Sequence, residues 1–166
     1  MDEALLAALI EVERHVGQLG WDQPARLFAL VRTADLIAAE PHLAEHLGAA
    51  APDGFSSVEQ DQFHAGEDLG EALARIAWPP AVSGCALSLE RAFLPADAEA
   101  GLPADPSAAA DAVAAHPERM DLRVVVGVTR DGRRHGVARV RGEDGDLLSA
   151  PDLVPALAQA LAHTLD

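Results

Sequence analysis

The sequence predicts an α+β fold, a single layer of mostly antiparallel sheet with about five strands, packed by N-terminal, middle and C-terminal helices. Three observations predict it. Segments of helical period and segments of strand character follow one another in the order α-β-α-β-α-β-α-β-β-α. The last two strands read as a hairpin, which pairs antiparallel by construction. The chain has 166 residues and 49% apolar side chains, enough for one core, so residues 1–166 are expected to form a single domain.

The first element carries Leu5, Leu9, Val12, Val16 and Leu19 at helical spacing, with Glu11, Glu13 and Arg14 elsewhere around the wheel, Asp2 as a cap and Gly20 as the stop. Arg26–Thr33 (RLFALVRT) is a near-continuous apolar run and suits a central strand covered on both faces. Asp35–Ala39 and Pro41–Leu47 read as two short helical pieces divided by Pro41, the second ended by Gly48. Ala49–Gly54 is a loop, and Phe55–Gln60 a strand.

In Asp68–Ala77, residues Leu69, Leu73 and Ile76 share a helical face, and Pro79-Pro80 forbids continuation. Val82–Leu94 reads as a long strand with Cys85, Leu87, Leu89 and Phe93 on one side and Ser88 and Glu90 opposite. Pro95–Ala104 is loop. Asp105-Pro106 opens a helix that ends near His116-Pro117. After the hairpin at Leu122–Arg141, a last helix runs from about Asp152, with Leu153, Leu157, Leu161 and Leu165 along one stripe.

Charge excludes several function classes. The chain carries 27 acidic and 12 basic side chains, for a net charge of −15, and every basic one is Arg. Nucleic acids and anionic membranes need clustered positive charge, so neither is expected as a partner. No run approaches the about 18 apolar residues of a membrane span. The single Cys85 excludes an intramolecular disulfide and any cysteine metal cage, and Met1-Asp2-Glu3 lacks the basic start of a signal peptide. A cytoplasmic location is expected, and no cofactor is implied.

The hairpin breaks the acidic pattern. Residues 119–141 hold seven of the twelve Arg side chains against only Asp121 and Asp131. A two-residue Asp131-Gly132 turn would mix apolar and charged residues on both faces. A three-residue loop with Gly132 left-handed places Leu122, Val124 and Val126 opposite Val140, Ala138 and Gly136. The other face then gathers Asp121/Arg141, Arg123/Arg139, Val125/Val137, Gly127/His135 and Thr129/Arg133. Arg123 directly opposite Arg139 is destabilising if bare. That face therefore either receives a carboxylate-rich partner through Arg123, Arg133, His135, Arg139 and Arg141, or is neutralised by Glu and Asp from a neighbouring helix or loop.

Other candidates are sparser. His42, Glu45 and His46 match an H-x-x-E-H string whose four-residue spacing stacks two imidazoles on one helical flank, where they could hold a metal with Glu45 as base. His64 could be a third ligand. Cys85 lies on the apolar side of its strand, as a buried inert thiol does. Trp21 and Trp78 each adjoin a helix end and serve either as packing anchors or, if exposed, as surface anchors for a partner.

The blocks from Trp21 through Val31, Ala38-Ala39-Glu40-Pro41, Ile76-Ala77-Trp78-Pro79, Gly84-Cys85-Ala86-Leu87 and Ser149 through Pro155 carry a likeness. On them the chain resembles a family of small acidic actinobacterial proteins, functionally uncharacterised and catalogued by a propionibacterial locus name. The resemblance covers nearly the whole chain and implies no activity, cofactor or catalytic residue. Arg32 stands where that resemblance leads one to expect Pro before Thr33. In layout and acidity alone the chain is also similar to bacterial secretion chaperones.

The leading expectation is a non-catalytic interaction or adaptor protein, chaperone-like, that engages a protein partner or itself as a homodimer through the hairpin face. The alternatives are a metal-dependent hydrolase built on His42, Glu45 and His46, and a small-anion binder at Arg123 and Arg139.

Overall fold

The computed structural model describes residues 3–39, 54–64, 68–93, 101–117, 120–141, 147–151 and 153–166. They form one open sheet flanked by helices, built in the order α1 (Glu3–Gly17), β1 (Arg26–Arg32), α2 (Thr33–Ala39), β2 (Phe55–Glu59), α3 (Leu69–Ala74), β3 (Gly84–Phe93), α4 (Pro106–Ala115), β4 (Met120–Thr129), β5 (Arg134–Val140), β6 (Leu147–Ala150) and α5 (Pro155–Thr164). The α+β expectation holds. The sheet has six strands rather than about five, in the spatial order β2-β1-β3-β4-β5-β6, and every neighbouring pair is antiparallel. The additional strand is β6, whose four residues LLSA alternate too briefly to announce a strand.

Both faces of the sheet are covered, because its strands carry apolar residues at odd and even positions alike. On one face Leu27, Cys85, Leu87, Leu89, Leu122, Val124, Val126 and Ala138 pack with Leu73 of α3 and with Leu157, Ala158 and Leu161 of α5. On the other, Phe28, Leu30, Ala86, Val125 and Val137 pack against Leu5, Leu9, Val12 and Val16 of α1. Each of those four helix side chains is essentially inaccessible, which contributes on the order of 1.5–3 kcal/mol apiece.

The hairpin adopts the three-residue register. Leu122 faces Val140, Arg123 faces Arg139, Val125 faces Val137 and Gly127 faces His135. Gly132 has φ +87°, the left-handed conformation the loop requires, and its N–H donates to the Thr129 carbonyl at 3.1 Å.

Several boundaries shift for physical reasons. Thr33 opens α2 rather than ending β1. Asp68 and Asp105 cap their helices through bonds to the Glu71 and Ala108 amides, but α3 stops at Ala74, short of Ala77. The last helix starts at Pro155 rather than near Asp152. The residue before a proline is driven out of the right-handed helical region, and Val154 takes φ +50°. The piece read at Pro41–Leu47 and residues 49–53 of the loop read at Ala49–Gly54 lie outside the described residues, as does the cap assigned to Asp2.

Close approach of α1 to the sheet depends on Gly127. A Cβ there would stand 2.5 Å from Leu9 Cδ2 and 3.4 Å from Leu5 Cδ1. Gly127→Ala is expected to destabilise the fold by roughly 1–3 kcal/mol in urea denaturation, through overpacking. Leu9→Ala alone is expected to cost about 2–5 kcal/mol. Adding Gly127→Ala to it should then cost little, because the new methyl enters the vacated space; strict additivity of the two changes would contradict this packing.

Candidate functional site

The Arg123 and Arg139 face of the hairpin lies inward, and of the two readings offered for it the structure has the second, neutralisation by a carboxylate of a neighbouring helix. Helix α1 runs over it, so that Arg123 and His135 are buried beneath the helix. What neutralises the opposed arginines is Glu13, a carboxylate on the buried face of α1 and itself only 2% exposed. Its Oε1 accepts from Arg123 Nη1 at 3.1 Å and from Arg139 Nε at 2.6 Å. Its Oε2 accepts from Arg139 Nη2 at 3.1 Å. One carboxylate thus stands between two guanidiniums that the strand register forces side by side.

The turn after α1 completes the enclosure. Arg123 Nη2 donates to the Gly20 carbonyl at 3.1 Å, and the Trp21 ring covers the same guanidinium with 4.3 Å from its carbon to the ring centre. Arg141 lies 5.3 Å from the same ring and forks onto Asp22 at 3.2 and 3.3 Å. Asp22 is held at φ +66° while its own N–H and that of Gln23 donate to the two oxygens of Glu90, at 2.9 and 2.6 Å. Gln23 accepts from Arg26, and Arg26 donates to Glu59 at 2.6 Å. His15 on α1 stands 3.3 Å from that same Glu59. A continuous belt of polar contacts therefore ties the C-terminal half of α1 to five strands.

These bonds raise the basicity of both rim arginines. The hydrogen bond to Glu13 does so for Arg139, and that to Asp22 for Arg141. Arg133 follows another pattern. Its Nε donates to Asp131 at 2.9 Å and its guanidinium lies 5.4 Å from the Phe55 ring centre. Asp131 also accepts from the Thr129 hydroxyl, and the bond from Arg133, with that from Thr129, holds its carboxyl below the usual range. His135 carries a buried Nε2 without a hydrogen-bond partner among the described residues.

Trp78 packs against the opposite core and donates from Nε1 to Thr164 Oγ1 at 2.9 Å. Cys85 lies beneath it, 3.5 Å from the same hydroxyl, and burial pushes its thiol up to about 11 despite that contact. Arg130 is a structural clamp. Its side chain donates to the carbonyls of Val82 at 2.7 Å, Leu165 at 2.5 Å, Trp78 at 3.1 Å and Pro79 at 3.0 Å, closing the end of α5. His42, Glu45 and His46 lie outside the described residues. Among those described, no group of three His, Cys, Asp or Glu side chains is arranged to hold a metal.

The residue that sequence reasoning missed is Glu13. It was assigned to the polar side of the wheel, although it follows Leu9 by four positions and precedes Val16 by three, which places it on the apolar stripe. A charge on that stripe, together with two opposed arginines, is the signal that could have found it.

The open sites lie elsewhere. A groove of about 570 Å³ runs between the hairpin tip and α5, lined by Val128, Gly132, Arg133, Arg134, Pro155, Ala156, Gln159 and Ala162 among others, with no carboxylate among the described residues of its walls. A second cavity, of about 460 Å³, lies where β1 begins and β2 ends.

Glu13→Ala is expected to cost about 3–5 kcal/mol in denaturant unfolding, because it strands the Arg123 guanidinium without a counter-charge under α1. Burial shields the pair, so the loss should persist at high salt. Arg139→Ala should lose less, since Glu13 keeps Arg123. Cys85 is expected to resist thiol reagents at neutral pH until denaturant is added. Since an unfolded thiol ionises near its ordinary value and the folded one only near 11, stability should fall as pH rises through that window. Cys85→Ser should flatten the alkaline decline.

No helix among the described residues is long and apolar enough to cross a membrane. No curated protein and no solved structure matches the chain. The family model of the PPA1309-like proteins matches residues 5–166, and the chain belongs to the PPA1309-like protein family.

Proposed function

We propose that this chain is a non-catalytic, chaperone-like adaptor of the cytoplasm, and that it engages a protein partner at the tip of the hairpin rather than across its arginine face. The observation that carries this reading is the groove between the tip and α5. Its floor and helical wall are apolar or small, at Val128, Pro155, Ala156 and Ala162, while Arg133 and Arg134 stand at its strand side. On a chain of net charge −15, a groove whose described lining holds arginines and no carboxylate is complementary to an acidic, small-residue segment of another protein.

Two further features support an adaptor. Three of the titratable groups that the fold buries, Glu13, Arg123 and Cys85, are engaged in bonds or packing that hold the sheet and helices together. The Arg123 and Arg139 pair, which would serve a small-anion binder, already brackets Glu13.

A photo-crosslinking residue at Gln159, on the exposed wall of the groove, provides the test. In native-host extract it should trap one predominant acidic partner, and Arg134→Glu or added salt should abolish the trapping. Light scattering distinguishes a second copy as the occupant. A protein that stays monomeric and traps nothing, or traps the same species after Arg134→Glu, would overturn the reading.

A further inference from the structure

The second cavity has a chemistry of its own. Its polar wall carries Glu59, Asp61 and Glu90, and its apolar wall is made by Pro24, Phe63 and Leu89. The three carboxylates are not equivalent. Glu59 is matched by Arg26 at 2.6 Å. Glu90 accepts two backbone N–H groups, which hold it in place without cancelling its charge. Asp61 sits exposed on the turn after β2 and has no ion-pair partner among the described residues. A fixed carboxylate and a free one therefore face a cavity whose wall also carries His64 and the Arg26 guanidinium, the latter bonded to Glu59 through Nη1, so that three carboxylates outnumber the one guanidinium.

Phe63 faces a second space as well. That ring, with Gln60, also lines a neighbouring slot of about 260 Å³ bounded by Leu27, Ile76 and Trp78. The combined space is amphipathic, with negative charge at one end and aromatic and aliphatic side chains at the other. Its volume falls within the range of small-molecule sites, about 300–1,000 Å³. The chain's net negative charge raises the local concentration of cations around it.

We infer that this pair of cavities binds a small organic cation, an ammonium group on an apolar alkyl or aryl arm. The ammonium sits between Asp61 and Glu90, and the arm passes the face of Phe63 toward Trp78. Carboxylates replace the water that the ammonium loses, and the ring face adds cation–π attraction. A neutral or anionic analogue of the same shape forfeits the charged end.

Phenethylamine, phenethyl alcohol and hydrocinnamate form a matched set of probes, titrated calorimetrically into the full chain with Trp78 emission followed in parallel. The amine is expected to bind with unit stoichiometry, the alcohol about tenfold more weakly or worse, and the carboxylate not at all. Asp61→Asn, at an exposed turn, should weaken the amine severalfold and leave the alcohol unchanged, and adding Glu90→Gln should weaken it further. Trp78→Phe should remove the emission change while calorimetric binding remains. Equal binding of amine and alcohol, no binding of the amine, or multiple weak sites indifferent to Asp61→Asn would each overturn the inference. None of these outcomes bears on the groove at the hairpin tip.

Discussion

The placement of one carboxylate, Glu13, between two guanidiniums governs the rest of the architecture. The hairpin register sets Arg123 opposite Arg139, an arrangement that repels itself in the absence of an anion. Burying either cation unaccompanied would be prohibitive, and leaving the face wet would forgo the apolar contacts of Val125, Val137 and Phe28. A helix that brings both an aliphatic stripe and a carboxylate resolves the conflict. Leucines alone specify that a helix should cover the face, whereas the carboxylate fixes its rotation and its position along the strands.

The remainder of the belt extends that logic outward. Gly20, Trp21 and Asp22 close over the arginines from above, and Glu90 on the neighbouring strand anchors the turn that carries them. Across the sheet, Arg130 does comparable work with neutral partners, collecting four carbonyls from three stretches of chain. Five of the hairpin arginines are thus tied into bonds within the chain, Arg123 and Arg139 to Glu13, Arg141 to Asp22, Arg133 to Asp131 and Arg130 to four carbonyls.

Much of the fold was legible in the sequence. Alternation in Val82–Leu94 and Leu122–Arg141 marked the apolar face that packs on α3 and α5, and keeping charges off that face selected the three-residue loop and with it the hairpin register. Asp105-Pro106 marked its helix start because a cap and a first-turn proline act locally. Less legible was anything that depended on which elements become neighbours. The pairing of Glu90 with the Asp22 and Gln23 amides joins positions 68 and 67 apart in the chain, and no local pattern announces it. The short strand β6 was missed because pairing with β5, rather than its own composition, makes it a strand. The two cavities follow from packing of the 60–64 turn, the Trp78 segment and α5, so they could not be read from spacing alone.

The belt also sets an order of events. Glu13 lies 110 positions from Arg123 and 126 from Arg139, so the charge cluster is among the longest-range contacts in the molecule. As the polypeptide leaves the ribosome, the first helix emerges with its aliphatic stripe complete and its counter-ions not yet made. Only when residue 139 is free can that helix find its place, which makes its docking a late, high-contact-order step and leaves the nascent stripe uncovered for most of synthesis.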